Sequence, residues 1–186
     1  MIDPASWVHL GVMGLAVLSF IEAVFFPVPP DVILIPLALA DPQNALLYAL
    51  VATVFSSLGG LGGHYIGSVA GKRLVGKIVS REHTEQARKI YGEHGPLALA
   101  LAALTPVPYK VFTILSGALG MGLKTLFLVS LIGRGLRFFA EAILVSAYGE
   151  AAIRVISANF ELATISAGAL IIVLYACYIY IRKKFL

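Results

Sequence analysis

Two proline-containing stretches decide the fold: FFPVPPDVILIPLALA at residues 25–40 and LTPVPYKVFTILSGAL at residues 104–119. Each places Pro-Val-Pro and a charged residue, Asp31 or Lys110, inside an apolar segment that would otherwise form one continuous helix. Proline lacks a backbone N–H and its ring collides with the preceding turn, so two prolines around one valine end or reverse a helix. The same break, made twice, indicates a repeated structural unit.

The composition is that of an integral membrane protein. Of the 186 residues, 59% are hydrophobic and 13% are charged, and the mean hydropathy is +0.91. A soluble domain is about half apolar and about a quarter charged. The net charge of +4 arises mainly from basic clusters outside the apolar segments, so we expect no nucleic-acid partner. Cys177 is the single cysteine, which excludes a disulfide framework within one chain, and we expect no metal or cofactor.

Apolar segments of two lengths alternate along the chain. The long ones can cross a bilayer, which takes about 20 residues; they are Ala45–Ala70, Leu123–Tyr148 and Leu162–Ile181. The short ones rise only about 14 Å as helices and cannot cross a hydrocarbon core of about 30 Å; they are Val32–Ala40, Pro96–Leu104 and Val111–Gly120. Val8–Phe26 is long enough either to cross fully or to form part of a hairpin.

The two halves align at an offset of 79 residues, which pairs Pro27, Val28 and Pro29 with Pro106, Val107 and Pro108. Non-helical backbone survives at membrane depth only where protein or water satisfies it. We therefore expect an all-α integral membrane protein, an inverted repeat of a re-entrant helical hairpin plus a transmembrane helix, with an additional C-terminal transmembrane helix. Two kinked but ordinary spans are the alternative. The predicted single membrane domain, 1–186, comprises repeat 1 (8–71), a loop (72–95), repeat 2 (96–149) and a last span (160–182).

Basic residues predict the orientation, because cytoplasmic loops are enriched in Lys and Arg. The polar segment before Pro96 carries six of them: Lys72, Arg73, Lys77, Arg81, Arg88 and Lys89. The C-terminus carries Arg182, Lys183 and Lys184. Both are predicted to be cytoplasmic. Residues 73–91 are predicted to form either a solvated connector or an amphipathic helix on anionic lipid.

Six ionisable residues lie in apolar surroundings: Glu22, Asp31, Lys110, Arg134, Arg137 and Glu141. Each costs roughly 2.5–3.5 kcal/mol at the bilayer centre, so they should face one another or a wet cavity. Arg134, Arg137 and Glu141 are spaced on one helix face. We predict that Arg134, Arg137 and Lys110 bind an anion such as phosphate, because guanidinium offers paired planar donors. Glu22, Asp31 and Glu141 are predicted to couple protons. The alternative is that these residues form salt bridges that only join the two halves.

Glycines recur at four-residue spacing at Gly59, Gly63, Gly67 and Gly71. This spacing favours close helix packing over a phosphate-binding loop. His64, within the same stretch, is predicted to be a hydrogen-bonded interior residue.

The order of several motifs resembles the DedA/VTT (SNARE-associated) membrane protein family, most closely its YqaA-like branch. These motifs are Glu22 before PVPPD, GGHYIGSVAG at 62–71, TPVPYKVFTILSGALGM at 105–121 and GRGLRFF at 133–139. The resemblance implies two re-entrant hairpins, a multi-pass location in the bacterial inner membrane and movement of lipid carriers such as undecaprenyl phosphate. It places essential acidic residues on Glu22 and Asp31. Thr105 and Lys110 stand where the family usually has arginines.

The resulting prediction is a transporter or flippase, not an enzyme, that moves a phosphate-bearing lipid carrier or a phospholipid with proton coupling. A proton-coupled carrier of a small anion is one alternative, and a non-transporting membrane-homeostasis scaffold is another. Membrane lipids are the expected surroundings, and the sequence leaves homo-oligomerisation open.

Overall fold

A computed structural model describes residues 11–71, 81–105, 108–149 and 151 of the chain. Its six α-helices are α1 (Gly11–Val24), α2 (Asp31–Ala40), α3 (Ala45–Ile66), α4 (Arg81–Leu104), α5 (Tyr109–Leu119) and α6 (Leu123–Tyr148). A 3₁₀ turn, Pro42–Asn44, precedes α3, and a π-helical turn, Gly67–Gly71, follows it. The described residues contain no strand. The predicted last span (160–182), Arg182–Lys184 and the pair Pro106 and Val107 lie outside the described residues.

The first proline stretch separates α1 from α2, as predicted. Three of the four residues at 27–30 are prolines, which have no N–H that would need a partner at this break. The amides of Phe25 and Phe26 bond back to Ile21 O, each at 2.9 Å, and close α1. Pro30 O then accepts the amides of Ile33 and Leu34, each at 2.9 Å, and opens α2. The break therefore leaves few backbone groups to satisfy.

The second break follows the same plan. Thr105 N bonds to Leu101 O at 2.9 Å at the end of α4, and Pro108 O accepts Val111 N at 3.0 Å at the start of α5. At the offset of 79 residues, α2 corresponds to residues 110–119, and the observed α5 is Tyr109–Leu119. Both helices are short, with 10 and 11 residues.

Helix α4 differs from the prediction of a polar loop followed by a short apolar block. It runs without a break for 24 residues and contains Pro96. Proline in a helix removes one hydrogen bond and crowds the carbonyl four residues earlier, here that of Gly92, where the surroundings are open. Tyr91 steadies this helix, because its hydroxyl donates to Phe112 O of α5 at 3.1 Å.

Helices α3 and α6 pack against each other at the centre of the molecule. Helix α1 lies along α3, and α4 lies along α6. Each short helix also contacts the long helix of the other half, α2 on α6 and α5 on α3. The main buried apolar cluster joins α1, α2, α3 and α6 through residues such as Leu15, Ile33, Ala49 and Phe138.

The four-residue glycine spacing is used for close packing, as predicted. A side chain at Gly59 would collide with Phe20 O of α1, and one at Gly67 would collide with Ile114 O of α5. From the other side, Gly117 of α5 lies against His64 O. The ring of His64 is buried and bonds Met121 O at 2.9 Å through Nε2, which confirms the interior hydrogen-bonded assignment.

The exterior of the helices is apolar and the interior is partly polar, the reverse of a soluble protein. Large apolar side chains stand exposed along both long helices, for example Leu50, Leu128, Ile132 and Leu136. Inside, buried hydroxyls bond to the carbonyl one turn back, as Ser19 does to Leu15 O at 2.6 Å and Thr53 to Ala49 O at 2.7 Å. This distribution suits a lipid environment.

One stretch in the described part of the chain, Pro42–Gly71, is long and apolar enough to cross a membrane. Helix α6 has the length, 26 residues, but carries Arg134, Arg137 and Glu141 near its middle. Helices α1, α2 and α5 are apolar and shorter.

Candidate functional site

The ionisable residues on α6 face inward because of their spacing. Arg134, Arg137 and Glu141 fall on one face of the helix, which turns toward α1, α2 and α5. Glycines on either side of Arg134 allow the close approach: a side chain at Gly133 would collide with Ala103 of α4, and Gly135 lies against Thr53 of α3. The guanidinium groups therefore enter the centre of the protein.

Arg134 is enclosed on every side that the structure describes. Its Nη2 donates to Glu22 Oε2 at 2.5 Å, and its Nε donates to Ser56 Oγ at 2.7 Å. The guanidinium carbon lies 5.0 Å from the ring centre of Tyr109 and 4.8 Å from that of Phe138, which are cation–π distances. The residue is 2% exposed. Arg134 thus connects α1, α3 and α5 to α6.

Arg137 occupies a more open position. Its Nη2 donates to Asp31 Oδ2 at the start of α2. Its guanidinium carbon lies 5.5 Å from the ring centre of Phe138. The side chain of Arg137 is 12% exposed and that of Asp31 is 17%, against 3% for Arg134. The Arg137–Asp31 pair is therefore more accessible than Arg134.

Lys110 joins the two proline breaks. It lies in the first turn of α5, and its Nζ donates to Phe26 O, at the end of the first helix segment, at 2.9 Å. Phe26 and Lys110 are 84 residues apart in sequence. The two breaks therefore meet in space.

A cavity of about 340 Å³ lies between the two breaks. This volume falls at the small end of the range for ligand pockets, about 300–1,000 Å³. Ionisable and proline side chains form most of its wall: Glu22, Asp31, Lys110, Arg134, Arg137, Pro27, Pro29 and Pro108. Thr105 and Tyr109 complete it.

The structure brings five of the six predicted site residues onto this cavity: Glu22, Asp31, Lys110, Arg134 and Arg137. Glu141 is 7% exposed, does not line the cavity and lies one turn after Arg137 on α6. Their roles as substrate or proton ligands stay predictions.

Sequence reasoning missed three groups that hold Arg134: Ser56, Tyr109 and Phe138. Tyr109 is also fixed by its own hydroxyl, which donates to Ser130 Oγ at 2.5 Å. Tyr109 and Phe138 stand directly beside predicted residues, in TPVPYK and GRGLRFF, so their adjacency was a usable signal. Among the residues described, no group of three or more His, Cys, Asp or Glu side chains could hold a metal ion.

The helices and the apolar exterior of the described residues are consistent with a helical membrane protein. The chain belongs to the VTT domain family, whose profile matches residues 26–147. This is the DedA family domain; its members are membrane proteins and are associated with transport-type functions.

Similar proteins occur in bacteria and archaea. An uncharacterised protein of Haemophilus influenzae is 34% identical over 145 residues, 76% of each chain. A Histophilus somni protein is 34% identical over 127 residues, which cover 67% of this chain and 66% of that one. An uncharacterised protein of Methanocaldococcus jannaschii is 23% identical over 127 residues, 68% of this chain and 79% of that protein. No solved structure matches the chain.

Proposed function

We propose that this protein is a transporter that moves a phosphate-bearing lipid carrier, such as undecaprenyl phosphate or a phospholipid, across the bacterial inner membrane. The cavity between the two proline breaks is the observation that carries this proposal. It places Lys110 and Arg137 in one small space with Glu22 and Asp31. Membership in the VTT domain family supports transport as the class of function.

The proposed architecture is an inverted repeat of two re-entrant hairpins, each followed by a full span. The bounds of α2 and α5 nearly coincide at the 79-residue offset, which supports it. The contact of each short helix with the long helix of the other half supports it as well. In this arrangement residues 72–95 and the C-terminus face the cytoplasm. The breaks then enter from opposite sides and meet near the midplane, where such transporters place their substrates. The YqaA-like branch remains our assignment within the family.

Phosphate is the proposed ligand because of the chemistry of the donors. Guanidinium binds phosphate oxygens in pairs, and an ammonium group acts as a strong point charge. Lys110 donates to a backbone carbonyl. A phosphate oxygen can replace this neutral acceptor with a negatively charged one. Arg137 borders the cavity, and rotation away from Asp31 would aim it at the same ligand. The lipid tail would then lie along the apolar exterior.

Proton coupling follows from competition for the arginines. In the ionised state Glu22 and Asp31 accept hydrogen bonds from Arg134 and Arg137. Protonation of a carboxylate weakens its hold on the guanidinium, which can then bind substrate. Loss of the proton restores the pair and releases the anion. In this scheme the protein makes no covalent change to its substrate and is not an enzyme.

Two rival functions lead to different results. A carrier of a small anion would use the same donors but would not need a lipid tail. A non-transporting scaffold would use the ion pairs only to hold helices together. The buried Arg134–Glu22 pair fits that role, but this observation concerns one pair only. Homo-oligomerisation is compatible with all three.

The test is the flux of labelled polyprenyl phosphate into proteoliposomes, with inorganic phosphate as the parallel substrate. We expect Arg137→Ala and Glu22→Gln to lower lipid flux about tenfold or more, the effect of removing a charged hydrogen bond worth about 1.5 kcal/mol. Lys124→Gln, an exposed cation on the same helix as Arg137, is the matched control and should transport normally. All variants are compared at equal folded fraction.

Normal flux in both site variants would reject the site. Flux of inorganic phosphate without lipid flux would favour the small-anion carrier. Absence of both fluxes in the folded wild-type protein would favour the scaffold.

A further inference from the structure

Glu141 is a buried acidic residue that does not belong to the cavity wall. It is 7% exposed, and none of the described residues donates a hydrogen bond to its Oε2. Asp31 shows the same feature at its other oxygen: Oδ2 accepts from Arg137, while Oδ1 is buried and receives no donor from the described residues. Asp31 accepts from Arg137, and Glu141 lies one turn after Arg137 on the same face of α6, so the two carboxyl groups are neighbours beside one guanidinium.

Two ionised carboxylates in contact cannot bond, because each is only an acceptor and the charges repel. One proton changes this arrangement, since a carboxylic acid donates through its O–H to the neighbouring carboxylate. We propose that Asp31 and Glu141 together bind one proton, as a carboxylic acid–carboxylate pair that faces Arg137, and that this is the proton exchanged during transport. The second half of this statement rests on the proposed function; the first does not.

The charges around the pair come from three helices, α6, α1 and α5. Arg137 lies one turn before Glu141 on α6, with Arg134 one turn further. Glu22 of α1 is engaged by Arg134, and Lys110 of α5 is bonded to a carbonyl. From α3, Ser56 reaches Arg134 as a neutral partner. Tyr48, a titratable side chain of α3, donates to Asp41 and so is directed away from the pair.

These charges balance in a way that couples the proton to the anion. Three cations (Lys110, Arg134 and Arg137) face three acids (Glu22, Asp31 and Glu141). With all six ionised the site is neutral. With one proton shared between Asp31 and Glu141, the site carries a single positive charge. Arg137 then faces one carboxylate instead of two. The bound proton therefore prepares the site for one negative charge on the substrate.

The arrangement also distinguishes the acids from one another. Glu22 is held by the enclosed Arg134 at 2.5 Å and has a fixed counter-charge. Glu141 and Asp31 share one arginine. Glu22 is therefore a positioning residue for Arg134, and the exchangeable proton belongs to the pair on Arg137.

Infrared difference spectroscopy of the full-length protein in lipid nanodiscs tests the proton site without any substrate. The wild-type protein should show the C=O band of a buried protonated carboxyl at neutral pH, and this band should disappear at alkaline pH. Glu141→Gln should abolish it, since the amide supplies an N–H donor to Asp31 in place of the acid. Asp41→Asn, which changes an acid in the turn before α3, is the control and should keep the band.

A second variant keeps the test decisive if Glu141→Gln does not fold. Glu141→Asp retains the acid at a changed distance and should shift the band. A wild-type protein without the band, or a band unchanged in the Glu141 variants, would overturn the proposal. If the band is present but no lipid flux occurs, the proton site is supported and the proposed transport is rejected. If lipid flux occurs without the band, the proposed transport is supported and the proton site is rejected.

Discussion

Arg134 and Arg137 lie one turn apart on α6, yet their surroundings give them different roles. Arg134 has a carboxylate, a hydroxyl and two aromatic faces around it and is almost fully buried. Its interactions are complete without a ligand. Arg137 donates to Asp31 and lines the cavity. The first arginine therefore supports the architecture, and the second is the proposed ligand of the substrate anion.

Removal of the Arg134 charge should destabilise the protein strongly. Arg134→Met keeps the apolar stem and leaves Glu22 as a buried charge without its partner, which costs about 3–5 kcal/mol of unfolding free energy. Arg137→Met should cost clearly less, because Arg137 is more exposed and has fewer of the contacts described for Arg134, one carboxylate and one aromatic ring. Thermal unfolding in detergent measures both, and the double variant Glu22→Gln/Arg134→Met should recover part of the loss. Equal losses for the two arginines would contradict this division.

The sequence predicted which ionisable residues would lie together, and it did not predict how they pair. Ionisable side chains in apolar segments are few, and each is energetically unfavourable in a membrane. Each one is therefore a candidate site residue. Which carboxylate meets which arginine depends on contacts across long stretches of chain: Glu22 and Arg134 are 112 residues apart, and Asp31 and Arg137 are 106 apart. Local sequence pattern carries no information on that choice, nor on the aromatic faces around Arg134.

At the scale of elements, the helix ends of the apolar segments were the most predictable feature. Helix α6 has the predicted bounds, because glycine and charged residues flank a long apolar run. For residues 73–91 the sequence left open an amphipathic helix or a solvated connector, and it placed a separate short apolar segment at Pro96–Leu104. The structure joins Arg81–Leu104 into one helix, α4, through Pro96. Local propensity in that segment is helical, and its packing against α5 and α6 outweighs the single hydrogen bond that Pro96 removes.

The crossing of α3 and α5 depends on glycine at the contact. Gly117→Ala would place a methyl group against the His64 carbonyl, and we expect a loss of about 1–3 kcal/mol in stability, typical of overpacking. Gly92→Ala on α4 is the matched control, because open space surrounds it and alanine in a helix interior is favoured by about 0.5–1 kcal/mol. Opposite shifts in melting temperature are expected; shifts of the same sign would show that α3 and α5 can separate at little cost.

The turn between α2 and α3 should weaken in acid. The Asn44 amide, which donates to Asp41 at 2.8 Å, and the Tyr48 hydroxyl lower the pKa of the Asp41 carboxyl below its usual 3.8. A lowered folded-state pKa means that the carboxylate stabilises the fold above pH 3.8 and that this contribution is lost as the pH falls through the lower value. The effect should be small at this solvent-accessible turn. Melting curves across that range should decline less in Asp41→Asn than in the wild type, and parallel declines would exclude the mechanism.

At the scale of the whole molecule, the two halves are mutually dependent. Each short helix packs against the long helix of the other half, and Lys110 bonds across the two breaks. Neither half encloses the cavity alone. In the proposed inverted-repeat transporter, this division would let one half rock against the other around a fixed site and so give alternating access.

The proposed inverted repeat makes a prediction about membrane topology. Gln43 and Gly122 are equivalent positions at the 79-residue offset, each exposed in the turn after a short helix. In an inverted repeat they lie on opposite sides of the membrane, with Gln43 outside and Gly122 in the cytoplasm. Gln43→Cys and Gly122→Cys, each in a Cys177→Ser background, should therefore react with a membrane-impermeant thiol reagent from opposite sides in right-side-out and inverted vesicles. Permeabilised vesicles, in which both cysteines should react, control for access. Labelling of both from the same side would mean that the halves are parallel repeats, and the two breaks could not then enter the bilayer from opposite faces.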